Sequence, residues 1–171
     1  MMRKLTIILI FVLTQYGCGK KASEIKFEKI IYHSSGCFGT CPTYHLEVLN
    51  DKNIKLYAET VYSGSRFTER KEDLEKMGYF VGKLDNKTYE KLIKEIKAID
   101  IENLTFDGAN CCDASLKTII IYYNGKRKYL QSMFPPQNAE KLISILREIC
   151  NSSKVKRTSK KFNIEYKNAS R

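Results

Sequence analysis

The stretch Gly36-Cys37-Phe38-Gly39-Thr40-Cys41-Pro42-Thr43-Tyr44 constrains the fold more than any other part of the sequence. Its two glycines allow the backbone to turn, and its proline fixes φ and removes a hydrogen-bond donor. Cys37 and Cys41 would lie about 13 Å apart in an extended chain, so a bond between them requires the loop to fold back. The stretch therefore predicts a tight loop that a disulfide can close and that leads into a strand.

The first residues have the pattern of a secretory leader. Arg3 and Lys4 precede an apolar run, residues 5–13, which is shorter than the roughly 20 apolar residues needed to cross a bilayer. The run is followed by Gly17 and Cys18. A cysteine after a small residue at this place resembles the lipobox of bacterial lipoproteins, in which the thiol is acylated and becomes the mature N-terminus.

On this interpretation residues 1–17 are a signal peptide, Cys18 is lipidated, and residues 18–24 form a tether. A plain secretory leader cut near Ala22 is the alternative. No aspartate follows the cysteine in the position that resembles an inner-membrane retention signal. The sequence therefore predicts a lipid-anchored protein of the cell envelope, attached to the bilayer of the outer membrane and facing the periplasm.

The net charge of +11 at pH 7 is unevenly distributed along the chain. Lys and Arg nearly balance Asp and Glu between residues 22 and 150, whereas residues 151–171 are strongly basic. An exported protein does not meet the chromosome, so we expect no nucleic-acid partner. The tail, residues 151–171, is predicted to be disordered, and an anionic envelope surface is the partner that its charge would suit.

Apolar periodicity predicts six strands and two helices in a single domain, residues 25–150. The first helix has Asp85 as its N-cap, and the second opens after Pro135-Pro136. Asn124-Gly125 suits a type I′ turn between the last two strands. The order ββββαββα predicts an α+β fold, an antiparallel sheet of about six strands with both helices packed on one face. The strands are expected at residues 25–33, 43–49, 54–62, 78–83, 116–123 and 126–133.

The segment Cys37-Phe38-Gly39-Thr40-Cys41-Pro42-Thr43-Tyr44, set among these elements, resembles a family of bacterial envelope lipoproteins known as domain of unknown function 6438. The resemblance covers approximately residues 25–150. It implies a small exported α+β domain without an established activity. His33, Cys111, Cys112 and the basic tail lie outside the part that carries the resemblance, so it gives them no role.

The cysteines are the main candidates for chemistry. If Cys18 is acylated, an odd number remains, which leaves at least one thiol unpaired in an oxidising compartment. We favour a disulfide between Cys37 and Cys41. Adjacent cysteines would form a strained ring, so the main alternative joins one of the adjacent pair to Cys150 or to the first loop. The disulfide candidates are Cys37, Cys41, Cys111, Cys112 and Cys150.

A metal site is the chemically more specific alternative for the hairpin that contains Cys37 and Cys41. Two imidazoles and two thiols there are ligand types that suit zinc or copper, although oxidation would remove both thiolates. The C-x3-C spacing also differs from the C-x2-C of thiol oxidoreductases. The residues of this alternative site are His33, Cys37, Cys41 and His45.

The function predicted from the sequence is that of a membrane-anchored, non-enzymatic domain for binding or structural support. The motifs of zinc metalloproteases, serine hydrolases and P-loop NTPases do not occur, so we assign no catalytic residue and no cofactor. The sequence does not identify a protein partner. The alternative is a periplasmic protein that binds zinc or copper or performs thiol redox chemistry with the Cys37/Cys41 loop.

Overall fold

A computed structural model of the chain describes residues 25–64, 69–109 and 111–166. These residues form a seven-stranded antiparallel sheet, two α-helices and a small two-stranded hairpin. The predicted α+β class is confirmed. The predicted signal peptide and tether, with Cys18, lie outside the described residues. Neither helix of the described part is long and apolar enough to cross a membrane.

The large sheet contains all six predicted strands and one strand that was not predicted. Its order is β8-β7-β1-β2-β3-β6-β9, while β4 pairs with β5 in a separate hairpin. A 3₁₀ turn, Leu74–Lys76, precedes β6. The elements are β1 (Phe27–Ser34), β2 (Thr43–Leu49), β3 (Asn53–Thr60), β4 (Tyr62–Ser63), β5 (Lys71–Glu72), β6 (Gly78–Lys83), α1 (Asn86–Ala98), β7 (Lys117–Tyr123), β8 (Lys126–Ser132), α2 (Gln137–Cys150) and β9 (Val155–Arg157).

Local signals place the helix start and the hairpin turn where the sequence predicts them. The Asp85 carboxylate accepts a hydrogen bond of 2.9 Å from the Thr88 backbone N–H, which satisfies one of the unpaired donors at the start of α1. Asn124 and Gly125 have φ values of 52° and 70°, and a type I′ turn requires positive φ at both positions. Both features depend on neighbours in the chain alone.

β1 lies at the centre of the sheet and is buried on both of its faces. Its three consecutive residues Ile30, Ile31 and Tyr32 are all fully buried. Because successive side chains of a strand point to opposite faces, something must cover each face of the sheet. The helices cover the face that carries Ile30 and Tyr32. Their buried contributions to this core include Leu92, Ile96, Leu142, Ile145, Leu146 and Ile149.

The C-terminal segment covers part of the second face. Phe162 packs edge-on against Tyr79 of β6, with ring centroids 5.1 Å apart. Farther along the segment, the Glu165 carboxylate accepts hydrogen bonds from the Tyr122 hydroxyl at 2.7 Å and from Arg127 Nε at 2.9 Å. Tyr122 belongs to β7 and Arg127 to β8. The segment therefore runs across the sheet from β6 to β7 and β8.

The prediction of a disordered tail from residue 151 is wrong for residues 151–166. Val155–Arg157 pair with β6, and Phe162 and Glu165 contact the sheet as described above. Gly82 permits the pairing, because a Cβ atom at this position would lie 2.6 Å from the Lys154 carbonyl oxygen. The basic composition of the tail suggests disorder, but a few residues such as Phe162 and Glu165 are enough to attach it to the sheet. The remaining residues, 167–171, lie outside the described residues.

Deleting residues 159–171 should destabilise the domain, contrary to what the basic composition suggests. The deletion removes Phe162, Glu165 and Tyr166 from the second face while it keeps β9. We expect the free energy of unfolding to fall by about 2–4 kcal/mol. Thermal and denaturant unfolding followed by circular dichroism measure this loss, and deletion of residues 167–171 alone is the matched control. Equal stability of the two truncated proteins would show that the segment contributes nothing.

Candidate functional site

The loop between β1 and β2 is closed by a disulfide. Cys37 and Cys41 are bonded, with their Cα atoms 5.4 Å apart, so the favoured pairing is confirmed. Gly39 between them has φ 143°, a conformation that side-chain-bearing residues rarely adopt. The Ser34 hydroxyl donates a 3.1 Å hydrogen bond to the Pro42 carbonyl and joins the two sides of the loop. Closing so short a ring stabilises the fold by about 2 kcal/mol.

The disulfide loop lies at one end of the sheet, here called the loop end. The strand registers define this end, because Ser34 of β1 pairs with Tyr44 of β2 and with Lys117 of β7. Several connections meet there, so the loop end is the side of the domain with the most irregular chain. Their described residues are 35–42, 61–64, 69–77, 104–109, 111–116 and 133–136.

The described chain begins at the opposite end, here called the turn end. The Lys26 carbonyl accepts a hydrogen bond of 3.0 Å from the Asn124 backbone N–H. The Glu28 carbonyl accepts one of 2.9 Å from the Asn50 backbone N–H. Asn50 and Asn124 belong to the tight turns after β2 and β7. The N-terminal side of β1 and the disulfide loop are therefore at opposite ends of the sheet.

A cleft of about 550 Å³ opens beside the disulfide loop. Thr40 and Pro42 of the loop form one side, and Tyr44, Leu56 and Cys150 lie deeper in its wall. The remaining lining comes from the segment after β3, from the 3₁₀ turn before β6, from β6 itself and from the chain after α2. These residues are Val61, Tyr62, Glu75, Lys76, Phe80, Asn151, Ser152, Ser153 and Val155.

Buried polar groups in the cleft wall are neutral. The Tyr44 hydroxyl donates a 2.9 Å hydrogen bond to Asn151 Oδ1 and connects β2 to the end of α2. Burial raises the pKa of Tyr44 to about 12, so this hydroxyl keeps its proton at neutral pH. Burial also raises the pKa of the Cys150 thiol far above the neutral range. Cys150 is therefore an uncharged thiol rather than a reactive thiolate.

The two histidines of the predicted metal site meet on the second face of the sheet. His33 and His45 are directly paired in the β1–β2 register, and their Nδ1 atoms lie 2.8 Å apart. His33 Nε2 lies 2.7 Å from the backbone carbonyl oxygen of Glu165. Because a carbonyl accepts hydrogen bonds, Nε2 of His33 carries a proton and Nδ1 of its neutral ring is an acceptor. The proton between the two rings therefore belongs to His45.

Further contacts complete this histidine pair. The Glu59 carboxylate lies 3.2 Å from His45 Nε2, on the side of the ring away from His33. Tyr57 stacks on His45, with ring centroids 5.5 Å apart. Tyr166 packs edge-on against His33 at 4.7 Å and His45 at 5.6 Å. The histidine pair thus attaches the C-terminal segment to the sheet.

The four predicted metal ligands do not form a joint metal site. The sulfurs of Cys37 and Cys41 are bonded to each other, which removes both thiolates. His33 and His45 hydrogen-bond to each other directly. Over residues 25–64, 69–109 and 111–166, no group of three or more His, Cys, Asp or Glu side chains is arranged to hold a metal ion.

The other three cysteines of the described chain are free thiols. Cys111 and Cys112 are exposed in the loop between α1 and β7, whereas Cys150 is buried at the end of α2. The alternative pairing of Cys111 or Cys112 with Cys150 or with the first loop is therefore not formed. Asn110, next to the adjacent pair, lies outside the described residues.

Comparison with protein families identifies the domain. A family described as Domain of unknown function (DUF6438) has a sequence profile that matches residues 28–152. The chain belongs to the DUF6438 family. The matched region of this DUF6438 domain includes the disulfide loop and both helices, and it ends before β9. A comparison with curated proteins gave no match.

Sequence reasoning missed the residues that the tail of this DUF6438 domain contributes. Asn151, Ser152 and Ser153 line the cleft, and Glu165 and Tyr166 hold the histidine pair. The signal that was present is the weak alternation of apolar residues at 162–166 within a basic stretch. That alternation is too short to predict a contact with a particular strand.

Replacing His33 with glutamine should change how the stability of the domain depends on pH. Burial lowers the pKa of His33 to about 4, whereas the unfolded chain binds a proton there near pH 6.5. As pH falls, the unfolded state therefore binds a proton at this histidine before the folded state does. The free energy of unfolding of the wild type declines between about pH 6.5 and pH 4, by up to about 1.4 kcal/mol per pH unit. His33→Gln should show a flatter decline in melting temperature over this range.

Glu59→Gln is the control for this experiment, because it alters the exposed side of the histidine pair and leaves His33 in place. Its pH profile should retain the wild-type slope. Parallel profiles for wild type and His33→Gln would contradict the assignment of His33 as a buried neutral ring.

Proposed function

We propose that this DUF6438 domain is a non-enzymatic ligand-binding domain of the cell envelope, anchored through a lipid on Cys18. The cleft at the loop end is its binding site. The observation that carries the proposal is the participation of the disulfide loop in this cleft. Thr40, Pro42 and Tyr44 line the cleft and belong to the C-F-G-T-C-P-T-Y segment.

The lining of the cleft favours an uncharged, sugar-containing ligand. Tyr62 and Phe80 provide aromatic surface, which suits the C–H face of a sugar ring. Asn151, Ser152 and Ser153 provide amide and hydroxyl groups for the ring substituents. The volume of about 550 Å³ lies within the usual range for small-molecule sites. N-acetylated saccharides combine these properties, and they are the ligand class that we propose.

The charged groups of the cleft support a ligand without a large net charge. Glu75 and Lys76 both line the mouth and have opposite signs. The Lys76 ammonium also contacts the Asp73 carboxylate at 2.8 Å, which reduces its availability for an anionic ligand. The thiol of Cys150 is buried and uncharged, and the described lining contains no histidine to activate a nucleophile. These features support binding rather than catalysis.

The positions of the two ends of the sheet support a lipid anchor on the N-terminal side. β1 runs from the turn end to the loop end over eight residues, a length of about 26 Å. An anchor at Cys18 therefore brings the turn end toward the bilayer and leaves the cleft on the side away from it. A binding site in this position is open to polymers and soluble molecules of the envelope.

The anchor predicts the form of the mature protein. We expect the native protein to begin at Cys18, to carry acyl chains there and to partition with membranes. Cys18→Ser should carry no acyl chain, and Cys111→Ser, which changes an exposed cysteine elsewhere, should behave as wild type. Intact-mass measurement and fractionation check both variants. A mature wild-type protein that lacks acyl chains and is found in the soluble fraction would contradict the anchor.

The cleft predicts saturable binding of N-acetylglucosamine oligomers, measured by calorimetry with the intact protein. Tyr62→Ala should weaken binding about tenfold through the loss of aromatic contact, which is worth about 1–2 kcal/mol. Ser153→Trp should abolish binding by filling the mouth of the cleft. Tyr129→Ala, a half-buried tyrosine of β8 away from the cleft, is the matched control. Equal affinity of all four proteins, or no binding by wild type, would refute the ligand assignment.

A further inference from the structure

Cys111 and Cys112 form an exposed pair of thiols in the loop between α1 and β7. Their Sγ atoms lie 2.7 Å apart, and the Cys112 thiol donates to the Cys111 sulfur. A disulfide bond is about 2.05 Å long, so the two sulfurs need to approach by less than about 1 Å to become bonded. Cys112 has φ 65°, a left-handed conformation. The backbone therefore turns between the two cysteines and brings adjacent side chains to the same side.

Hydrogen bonds on both sides of the pair hold this loop on the sheet. Before the cysteines, Asp107 Oδ1 accepts hydrogen bonds from the Ser132 hydroxyl and from the Ala109 backbone N–H at 2.9 Å. After them, the Ser115 hydroxyl donates a 2.6 Å hydrogen bond to the Ser35 carbonyl. The sulfurs are thus exposed on a loop whose two sides are attached to β8 and to the end of β1.

We propose that Cys111 and Cys112 are a redox-active dithiol that closes reversibly to a vicinal disulfide. This site is separate from the cleft and does not depend on the proposed binding function. The other cysteines of the described chain are not available for the reaction, because Cys37 and Cys41 are bonded and Cys150 is buried.

The reaction is a thiol–disulfide exchange with an organic disulfide, either a small molecule or an exposed protein disulfide. One cysteine loses its proton, and its sulfur attacks the disulfide, forming a mixed disulfide and releasing one thiol. The neighbouring cysteine then loses its proton and displaces the second thiol, which forms the Cys111–Cys112 bond. Two electrons and two protons pass from the dithiol to the oxidant, whose disulfide becomes two thiols.

Exposure and ring strain make this bond reversible. A ring that joins adjacent residues departs from the geometry that a relaxed disulfide prefers. Strained and exposed disulfides have more oxidising potentials and are more easily reduced than buried structural ones. The hydrogen bond from Cys112 raises the pKa of Cys111, so the Cys111 thiol holds its proton at neutral pH and reacts faster as pH rises. The pair thus suits an exchangeable redox state.

The experiment equilibrates the intact protein with reduced and oxidised glutathione, quenches with acid and alkylates the remaining thiols. Trypsin releases residues 98–117, a peptide that contains Cys111 and Cys112 and no other cysteine. With increasing oxidant, the peptide should become lighter by two hydrogen atoms and lose its alkylation. The intramolecular form should exceed the singly glutathionylated form by about tenfold or more, because the second thiol is already adjacent.

Cys112→Ser is the matched control and should accumulate the mixed disulfide at Cys111, since it has no second thiol to displace glutathione. Cys150→Ser should behave as wild type. Two outcomes would overturn the proposal. In one, the wild-type peptide remains a dithiol, or carries two glutathiones, under glutathione conditions in which the Cys37–Cys41 disulfide is intact. The other is disulfide-linked dimers in place of the intramolecular bond.

Discussion

The requirement to cover both faces of the central strand determines much of this structure. Ile30, Ile31 and Tyr32 are consecutive and fully buried, so the sheet cannot leave either face of β1 to solvent. The helices supply a conventional cover for one face. The second face is covered in part by an irregular segment that hydrogen-bonds to His33 through the Glu165 carbonyl. A buried imidazole is stable there because this carbonyl and His45 satisfy both of its nitrogens.

The segment after α2 has two roles that are linked through the chain. Ser152, Ser153 and Val155 line the cleft, and Glu165 and Tyr166 lie on the opposite side of the sheet. β9 connects the two regions through its pairing with β6. A ligand that orders the residues at the cleft would also favour the contacts of Glu165 and Tyr166 with the sheet. Those contacts would in turn raise the affinity for the ligand by the same factor.

Most of the fold was predictable because its signals are local. The N-cap at Asp85, the type I′ turn at Asn124-Gly125 and the short cysteine loop each depend on a few neighbouring residues. The sequence also placed His33 and His45 on one hairpin, where the register makes them direct partners. It did not predict β9, the cleft or the contacts of the C-terminal segment with the sheet. These features depend on contacts between distant parts of the chain, such as Tyr44 with Asn151 and His33 with Glu165.

The pairing of β9 with β6 has a consequence for self-association. One edge of the large sheet is occupied by a strand of only three residues, which offers little backbone for another chain to pair with. The other edge is β8, which begins with Lys126, Arg127 and Lys128. Charged side chains on an edge strand discourage pairing with a strand of another chain, and short edge strands have the same effect. The domain can therefore reach a high local concentration with both sheet edges protected against the growth of intermolecular β-structure.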